Sequence, residues 1–472
     1  MNTKSNKNIS RRTFIRNSTI GASTMAIAAV GCSTTSKKSL RTAHGVPANN
    51  KIRIGFIGVG SRATQILKKI IKEPDVEITA ICEIWNARMV PALALCKGKP
   101  KPYHDYQEML ASDDIDAVVI GTLPHWHALQ AIHACQAGKD FYMEKPMTMS
   151  VAEALAVRNA VRKHKIISQI GTQIHASDNY RRIVELVRSG RLGKINAVRT
   201  FNTIDQRADG LGNTPDTKPP KGLDWNSWIG PAQMRPFNTM LAKSAYHHPS
   251  FNMSGGWTPG MAPHILDLPY WALELGHPIK ISSHGGRYVI KDCGNAYDTQ
   301  DVIWQYPDMN MTWMTNMTNS YGFDFQGRLG RKRRLGVYFH GVNGTMLANY
   351  GMCHIVPEDV PEDVAKDDQA VKKFIAEWNA EMDKKYPVTK IPDSPKHYRD
   401  WLDCIRTRKQ PSCCVDYHYK IDIAINLAMM AMQLGRTVNF DPEAEKVTGD
   451  REAINLMYPN YRDPYKLPKE YL

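Results

Sequence analysis

The sequence predicts an α/β protein whose N-terminal part is a Rossmann domain with a doubly wound parallel sheet. Two observations predict this fold. Between residues 51 and 172, six short apolar strands alternate with helical patterns, and this alternation is typical of a parallel sheet covered by helices on both faces. A glycine-rich turn joins the first strand to the first helix, which is the place where such sheets bind dinucleotides.

The turn after the first strand reads Gly-Val-Gly-Ser-Arg-Ala. Gly58 permits the tight turn, and Gly60 lets a pyrophosphate approach the backbone. The free N–H groups near Ser61 and Arg62 would hold the phosphates. The second strand ends at Glu83, whose carboxylate can accept hydrogen bonds from a ribose diol and would repel a 2′-phosphate. The pattern therefore predicts an NAD site, with a glycine turn that binds nothing as the alternative.

Two further strand ends carry polar residues that would lie near this turn, because ligands bind at the carboxyl ends of parallel strands. The fourth strand is followed by Gly-Thr-Leu-Pro-His-Trp-His and the fifth by Glu-Lys-Pro. A proline close behind each polar group restricts the backbone and so the direction of the preceding side chain. The predicted cofactor contacts in these segments are Thr122, Pro124, His127, Glu144 and Lys145.

Together these motifs resemble the Gfo/Idh/MocA family of sugar and polyol oxidoreductases. The resemblance continues through Gly-Thr-Gln at residues 171–173, the segment 180–194, and His-Ile-Leu-Asp at residues 264–267. It implies a C-terminal α+β domain with a mostly antiparallel open sheet, for which residues 198–349 supply candidate strands. In that family the open face of the sheet commonly mediates oligomerisation, so the resemblance implies a homo-oligomer.

The chemistry and the resemblance both indicate Lys145 and His264 as catalytic residues. Oxidising a sugar hydroxyl requires a base to take the O–H proton while the hydride leaves for the nicotinamide. Lys145 would hold and polarise the oxygen, since burial at a strand end lowers the pKa of an ammonium group. His264 would relay the proton, as in the family. A surface lysine and a structural histidine are the alternatives.

One position departs from the family pattern. Many of its dehydrogenases carry an aspartate four residues before the histidine, and this chain has Gly260 there. The substitution puts the usual alcohol dehydrogenase triad in doubt. Asp267, about one helical turn after His264, could orient the imidazole of His264, contact the substrate or pair elsewhere.

Further predicted sugar contacts have side chains that hydrogen-bond hydroxyl groups or stack on a pyranose ring. These residues are Gln173, His175, Tyr180, Arg181, Tyr246, His247, Trp257 and Asp267. An ordinary structural role is the alternative for each of them. No metal is predicted, because the run Tyr-His-His at residues 246–248 has no second cluster at ligand spacing and the cysteines form no Cys-x-x-Cys pair.

The first 31 residues have the pattern of an export signal. A twin arginine at residues 11–12 precedes a short, weakly apolar run, as in twin-arginine signals. Ala-Val-Gly-Cys at residues 29–32 resembles a bacterial lipobox with Cys32 as the lipidation site, and Ser33 favours the outer membrane by analogy. We therefore expect a lipid-anchored, periplasmic protein of the cell envelope that folds around its cofactor before export. A disordered basic tail is the alternative.

The charge of the chain does not identify a partner. Removing residues 1–31, which hold five basic and no acidic residues, lowers the formal net charge from +15 to +10. That surplus fits an anionic surface or an acidic glycan, and no nucleic-acid motif accompanies it. After residue 31 no segment approaches the roughly 18 apolar residues of a membrane span.

The predicted organisation is a signal at residues 1–31, a linker at 32–50, an NAD-binding Rossmann domain at 51–172, a substrate-binding α+β domain at 173–395, and C-terminal helices and a tail at 396–472 that pack on the body. An insertion at residues 203–221 is either a loop over the site or an excursion.

Three functions remain open at this point. The first is a dehydrogenase that acts on a small-molecule sugar or glycoside with tightly bound NAD, because no free NAD pool exists outside the inner membrane. The second is a redox-neutral NAD-dependent glycosidase, similar to the exported α-N-acetylgalactosaminidase type. The third is a carbohydrate-binding lipoprotein without catalysis.

Overall fold

The computed structural model describes residue 46, residues 50–242, residue 248, residues 250–323 and residues 334–472. The predicted export signal with Cys32, and the predicted sugar contacts Tyr246 and His247, lie outside these residues.

A parallel sheet forms the N-terminal part. Its strands are β1 Ile52–Ile57, β2 Val76–Cys82, β3 Lys101–Tyr103, β4 Ala117–Ile120, β5 Asp140–Met143 and β6 Ser168–Ile170. In space they lie in the order β3-β2-β1-β4-β5-β6, and every neighbouring pair runs parallel. The order reverses beside β1, so the ligand crevice of a doubly wound sheet opens at the carboxyl ends of β1 and β4.

Helices cover both faces of this sheet. They are α1 Ser61–Ile70, α2 Asn86–Leu95, α3 Tyr106–Leu110, α4 Pro124–Gln136 and α5 Val151–His164. The apolar residues of α1 recur at helical spacing, and Ala63, Ile66, Leu67 and Ile70 are buried. Pro124 begins α4, where its fixed φ suits a first helical turn. The side chain of Ser150 caps α5 by accepting the Glu153 N–H at 3.2 Å.

The second sheet is larger and mixed. Its strands are β7 Ile195–Thr203, β8 Lys280–Gly286, β9 Thr299–Gln305, β10 Asn310–Asn316, β11 Leu335–Gly341, β12 Gly344–Asn349, β13 Met352–Pro357, β14 Val438–Asp441 and β15 Lys446–Thr448. They lie in the order β13-β12-β11-β7-β10-β9-β8-β14-β15. Among the described strands of this second sheet only β7 and β10 pair in parallel, so the predicted fold class, with its mostly antiparallel second sheet, is confirmed. The candidate strands did not include β13, β14 or β15.

The helices of the second half are α6 Asp178–Arg188, α7 Trp225–Ile229, α8 Thr239–Ala242, α9 Phe251–Ser254, α10 Trp257–Leu273, α11 Asp368–Lys385, α12 His397–Thr407, α13 Val415–Leu434 and α14 Arg451–Leu456. The sequence pattern did not reveal α10 as a long helix, because Pro263 and Pro269 lie inside it and proline removes a helix hydrogen bond. An amphipathic pattern predicts a helix at residues 421–435. In the structure this helix, α13, begins earlier, at Val415.

The C-terminal helices bind the two sheets into one body. Trp401 and Ile405 of α12 are fully buried in the same apolar cluster as Ile52 and Phe56 of β1. Helix α13 packs against α5, α10 and β8. The last segment packs back on the body. Arg462 Nε donates to the Gly230 carbonyl, and Tyr465 packs edge-on against Trp126 of α4, with ring centroids 5.4 Å apart.

The segment that follows the insertion packs against the loops after β2 and β4. Leu223 forms an isolated bridge with Trp85, and the Asn86 N–H donates to the Gly222 carbonyl at 3.1 Å. This segment forms a buried cluster with Ile84, Trp85 and Leu123; its members are Leu223, Trp225, Trp228, Ile229, Ala232, Phe237, Ala242 and Met253. The insertion itself, residues 203–221, bonds to the second sheet and its loops, as in the Ile204 N–H that donates to the Asn316 carbonyl at 2.9 Å, so its two alternatives stay open.

In the described part of the chain, no helix is both long enough and apolar enough to cross a membrane. The eight cysteines described are all free.

Candidate active site at the carboxyl ends of the parallel strands

The glycine turn has the shape that a pyrophosphate needs. Gly58 has φ +77°, and a Cβ there would meet Thr122 Cγ2 at 2.9 Å, so only glycine fits. Gly60 is the N-cap of α1 and no side chain caps the helix there, which leaves its first N–H groups available to an anion. A Cβ on Gly121 would meet Ala63 Cβ at 2.5 Å, so small residues also bring the helix close to β4. These residues fit NAD.

Glu83 lies at the lip of this turn. Its buried carboxylate accepts the Val59 N–H at 3.0 Å through Oε2 and the Ile84 and Trp85 N–H groups at 2.9 and 3.0 Å through Oε1. Three backbone donors therefore fix the acid beside the turn, where the sequence predicts it to bind the ribose.

Arg62 and Glu144 form an ion pair across the crevice. Arg62 Nε donates to Glu144 Oε1 at 2.9 Å, and the Tyr142 hydroxyl donates to the same oxygen at 3.3 Å. Both were predicted as cofactor contacts, and the pair ties the start of α1 to the end of β5.

His127 lies behind the two strand-end loops and braces them. Its Nδ1 is 2.7 Å from the Pro146 carbonyl and its Nε2 is 3.2 Å from the Thr122 carbonyl. Burial lowers the pKa of His127 to about 4, so the ring is neutral and donates to only one of the two carbonyls. With both nitrogens facing backbone, the geometry gives His127 a bracing role in place of the predicted direct contact. The hydroxyl of Thr122 donates to Gln130 Oε1 at 2.6 Å, and Pro124 begins α4.

The two predicted catalytic residues meet at α10. Lys145 Nζ donates to the Gly260 carbonyl at 2.7 Å, and His264 lies one helical turn further along. Burial lowers the pKa of the Lys145 ammonium group, an effect that Glu144 opposes. His264 Nδ1 is 3.2 Å from the Thr172 carbonyl; since a carbonyl only accepts, Nδ1 carries the proton. Burial and the nearby charge of Lys145 lower the pKa of His264 to about 3.

Asp267 pairs with His175 and Tyr417, and no described hydrogen bond joins it to His264. Asp267 Oδ1 accepts from His175 Nε2 at 3.0 Å and from the Tyr417 hydroxyl at 2.6 Å. Trp271 stacks on the His175 ring at 4.1 Å. Burial would raise the pKa of Asp267, but His175 and Tyr417 bring it down to about 2. Of the three alternatives for Asp267, the geometry favours pairing elsewhere, because its carboxylate bonds His175 and Tyr417.

This buried cluster also contains Cys413, whose Sγ is 2.9 Å from Thr172 Oγ1. Ligand atoms of His175, Asp267 and Cys413 lie within 4.8 Å of one another, which is metal-site spacing. The three groups are already hydrogen-bonded, and burial raises the pKa of the Cys413 thiol, which keeps it protonated. His175 Nδ1 and Asp267 Oδ2 are buried without a partner among the described residues.

The other predicted sugar contacts are placed unevenly. Gln173, at φ +68°, donates to the Tyr398 hydroxyl at 3.3 Å. Tyr180 is buried edge-on against Tyr350. Arg181 binds the Ile391 carbonyl at 3.0 Å and the Asp393 carboxylate at 2.7 Å, which gives it a structural role instead of a sugar contact.

Trp257, which begins α10, is buried in a small apolar cluster with Ile290, Ala296 and Met317. Its ring centroid lies 5.3 Å from that of His248, so it supports the site through a neighbouring side chain.

Sequence reasoning missed two members of the site. Tyr417 lies 150 positions from its partner Asp267, and no local pattern indicates such a pair. His248 was considered only as part of a metal run, yet its ring lies against Gly260, where a Cβ would meet Nδ1 at 2.4 Å. A glycine in place of the family aspartate was the one available signal.

Comparison with known proteins agrees with this geometry. Residues 52–172 match the oxidoreductase family Gfo/Idh/MocA, NAD-binding Rossmann fold, and residues 358–467 match the C-terminal alpha/beta domain of that family. A solved structure, the WlbA dehydrogenase of Bordetella pertussis in complex with NADH and UDP-GlcNAcA, is similar with a TM-score of 0.58 at 17% identity, over 83% of this chain and 99% of that one. The N-terminal domain is thus an NAD-binding Rossmann domain.

Curated relatives match a shorter stretch. A glycosyl hydrolase family 109 protein of Shewanella baltica is 30% identical over 161 residues, and the alpha-N-acetylgalactosaminidase of Shewanella oneidensis is 31% identical over 161 residues. Each match covers 32% of this chain and 34% of the relative, so the chain spans about a third of the length of the curated relatives it matches.

Proposed function

We propose, from the two Gfo/Idh/MocA oxidoreductase domains that this chain carries, that it is an NAD-dependent enzyme that oxidises a hydroxyl group of a sugar or glycoside and keeps its cofactor bound. The observation that carries the proposal is the convergence of Lys145 and His264 beside Gly260, at the carboxyl edge that also presents the glycine turn. An ammonium group and a neutral imidazole at that edge are the groups that alcohol oxidation requires.

Each residue has a distinct task in this reaction. Bound NAD⁺ supplies the hydride acceptor. The Lys145 ammonium, anchored to the Gly260 carbonyl, donates to the substrate oxygen and stabilises the negative charge that develops there. His264 has its Nδ1–H fixed by the Thr172 carbonyl, so its Nε2 is the nitrogen that takes up the hydroxyl proton.

Retention of the cofactor is supported by the segment that follows the insertion. Arg88, five residues beyond Glu83, stacks on Trp85 and donates to the Ala242 carbonyl at 2.6 Å. Its Nη1 would be 3.7 Å from a Cβ on Gly60, so Arg88 spans the distance from the phosphate turn to Ala242. A dinucleotide in the turn would be enclosed by these contacts, and its release would require them to open.

Redox-neutral glycoside hydrolysis is the second candidate function, and the similarity to glycosyl hydrolase family 109 proteins favours it. Transient oxidation at C3 acidifies the C2–H, which permits elimination of the aglycone from C1, addition of water across C1 and C2, and return of the hydride to C3. This cycle uses the same Lys145 and His264 and consumes no cofactor. It suits the periplasmic, outer-membrane lipoprotein that the twin arginine and Cys32 predict, a location where NAD cannot be exchanged.

A homo-oligomer through the open face of the second sheet is part of the same proposal. On β9 the buried and exposed residues alternate, and Ile303 is 50% exposed on the outer face. Met314 of β10 lies partly exposed. The other outward residues of these two strands, such as Asp301 and Thr312, are polar. Light scattering of wild type and Ile303→Lys measures whether this face mediates association.

The test uses the full chain purified after folding in the cytoplasm. Released nucleotide is identified by mass, and reduced nicotinamide and free aglycone are followed with a panel of para-nitrophenyl glycosides and no external NAD. Bound NAD with one burst of reduction supports the dehydrogenase, and repeated aglycone release supports the glycosidase. Bound NAD that no sugar reduces would leave a binding protein, and a chain that neither holds nor takes up NAD would contradict both enzymes.

A further inference from the structure

A second histidine fills the space next to the catalytic pair that Gly260 leaves open. A Cβ built on Gly260 would meet His248 Nδ1 at 2.4 Å and Cε1 at 2.7 Å. The imidazole therefore occupies the volume that any larger side chain at residue 260 would need. Gly260 also accepts the hydrogen bond of Lys145 through its carbonyl, so His248, Lys145 and α10 meet at one point.

The spacing on α10 brings His248 close to His264. Residues four apart on a helix lie on the same face with about 5–6 Å between their Cβ atoms. Since the His248 ring stands at the Cβ position of Gly260, it lies about one turn from the Cβ of His264. The two imidazoles thus lie along one face of the helix.

The position of the His248 ring is fixed by its surroundings. The Trp257 ring lies 5.3 Å from it, centroid to centroid, and the Ser254 hydroxyl donates to the His248 carbonyl at 3.1 Å. Met253 and Ser254 are buried in the short helix that follows. His248 itself is half-buried, so its ring is oriented by the protein and stays partly accessible.

The reaction needs a group of this kind. His264 is a poor resting place for a proton, because burial and Lys145 lower its pKa to about 3. A proton that His264 removes from a hydroxyl is therefore readily passed on to another base. The remaining acid nearby, Asp267, is engaged with His175 and Tyr417.

We propose that His248 is the proton acceptor of the site and that Gly260 is required because it makes room for the His248 imidazole. The proposal rests on the proposed function. In the oxidation the alcohol C–H and O–H bonds break and a C=O bond forms. The hydride leaves with its electron pair for NAD⁺. His264 Nε2 takes the hydroxyl proton and passes it from the same nitrogen to the His248 imidazole, because His264 Nδ1–H stays bound to the Thr172 carbonyl.

The test exchanges the two side chains in the same volume. The variants are His248→Ala, Gly260→Asp, and the double variants that combine His248→Ala with Gly260→Asp or with Gly260→Asn. Single-turnover reduction of bound nicotinamide is measured in each holoenzyme with the panel glycoside that the wild type oxidises fastest. Nucleotide content and thermal unfolding are recorded beside it, and Gly276→Ala is the control because nothing lies within 4 Å of its added methyl.

We expect His248→Ala to slow the reduction about a hundredfold without loss of bound NAD. Gly260→Asp alone should be slow as well, since its side chain competes with the imidazole for space. The double variant with aspartate should recover about tenfold over His248→Ala, because a carboxylate accepts the proton. The asparagine double variant, equal in size, should recover nothing.

Equal recovery by asparagine and aspartate, or a wild-type rate in His248→Ala, would overturn the proposal while leaving the proposed function intact. A folded wild-type protein that holds NAD and never reduces it with any glycoside would overturn both.

Discussion

The nucleotide edge and the sugar edge of the crevice are built in different ways. The nucleotide edge, from Gly58 to Glu83, comes from one continuous stretch, and Glu83 has three backbone donors of its own. The sugar edge gathers Lys145, His264 and His175 from distant segments, and it leaves His175 Nδ1 without a partner among the described residues.

This difference shows where ligand binding completes the structure. A buried polar atom without a partner costs about 1–3 kcal/mol, so a fold tolerates it mainly where another molecule can satisfy it. Asp267 Oδ2 is a second such atom at the sugar edge. The nucleotide edge is complete as a backbone structure, and the sugar edge retains polar capacity for a substrate.

The largest expected effect separates chemistry from cofactor binding. Lys145→Met should lower the rate of sugar oxidation about a thousandfold, since it removes both a proton donor and a positive charge. Bound NAD should stay stoichiometric, because the nucleotide edge is untouched. Nicotinamide reduction and nucleotide content, measured on the same sample, check both statements.

Lys139→Met is a matched control, since Lys139 is a buried lysine that donates to the Ser112 and Ile115 carbonyls at the opposite end of β5. It should reduce stability and leave the rate unchanged. An unchanged rate of sugar oxidation in Lys145→Met would contradict a catalytic role for the sugar edge.

A smaller effect is expected when the nucleotide edge alone is disturbed. Gly58→Ala should weaken NAD binding about a hundredfold, because its methyl would lie 2.9 Å from Thr122 Cγ2. The φ of +77° at this position also disfavours a Cβ. Gly98→Ala has a similar φ of +68° with nothing within 4 Å, so it carries the backbone strain without the clash. Calorimetric titration of stripped protein with NAD compares them, and equal affinities would show that the turn does not hold the cofactor.

The smallest effect concerns His127, the histidine that braces the loops after β4 and β5. Burial lowers the pKa of His127 from 6.5 to about 4, so between these pH values the unfolded chain binds a proton that the folded chain does not. Stability therefore falls as the pH drops, by about 1.4 kcal/mol per pH unit for each such histidine.

His127→Gln should flatten the pH dependence of the free energy of unfolding by about that slope below pH 6.5. Substitution of exposed His284 by glutamine should leave the slope unchanged. Denaturant titrations at a series of pH values decide, and identical slopes for wild type and His127→Gln would show that this histidine is not buried as a neutral ring.

The sequence by itself determined the features that depend on neighbouring residues. The strand at Ala117–Ile120, the helix at His397–Thr407 and the glycine turn follow from local periodicity and turn chemistry. Lys145 and His264 were found because each sits in a short motif.

Only the tertiary structure decided which distant groups meet. It paired Asp267 with His175, 92 positions away, and Arg181 with Asp393, 212 positions away, and it brought the His248 ring against Gly260. Such contacts depend on how α10 and the segment at residues 222–253 pack near the parallel sheet, and no periodicity in the chain encodes that packing. A short motif can therefore supply the catalytic residues, while their partners are chosen by the fold.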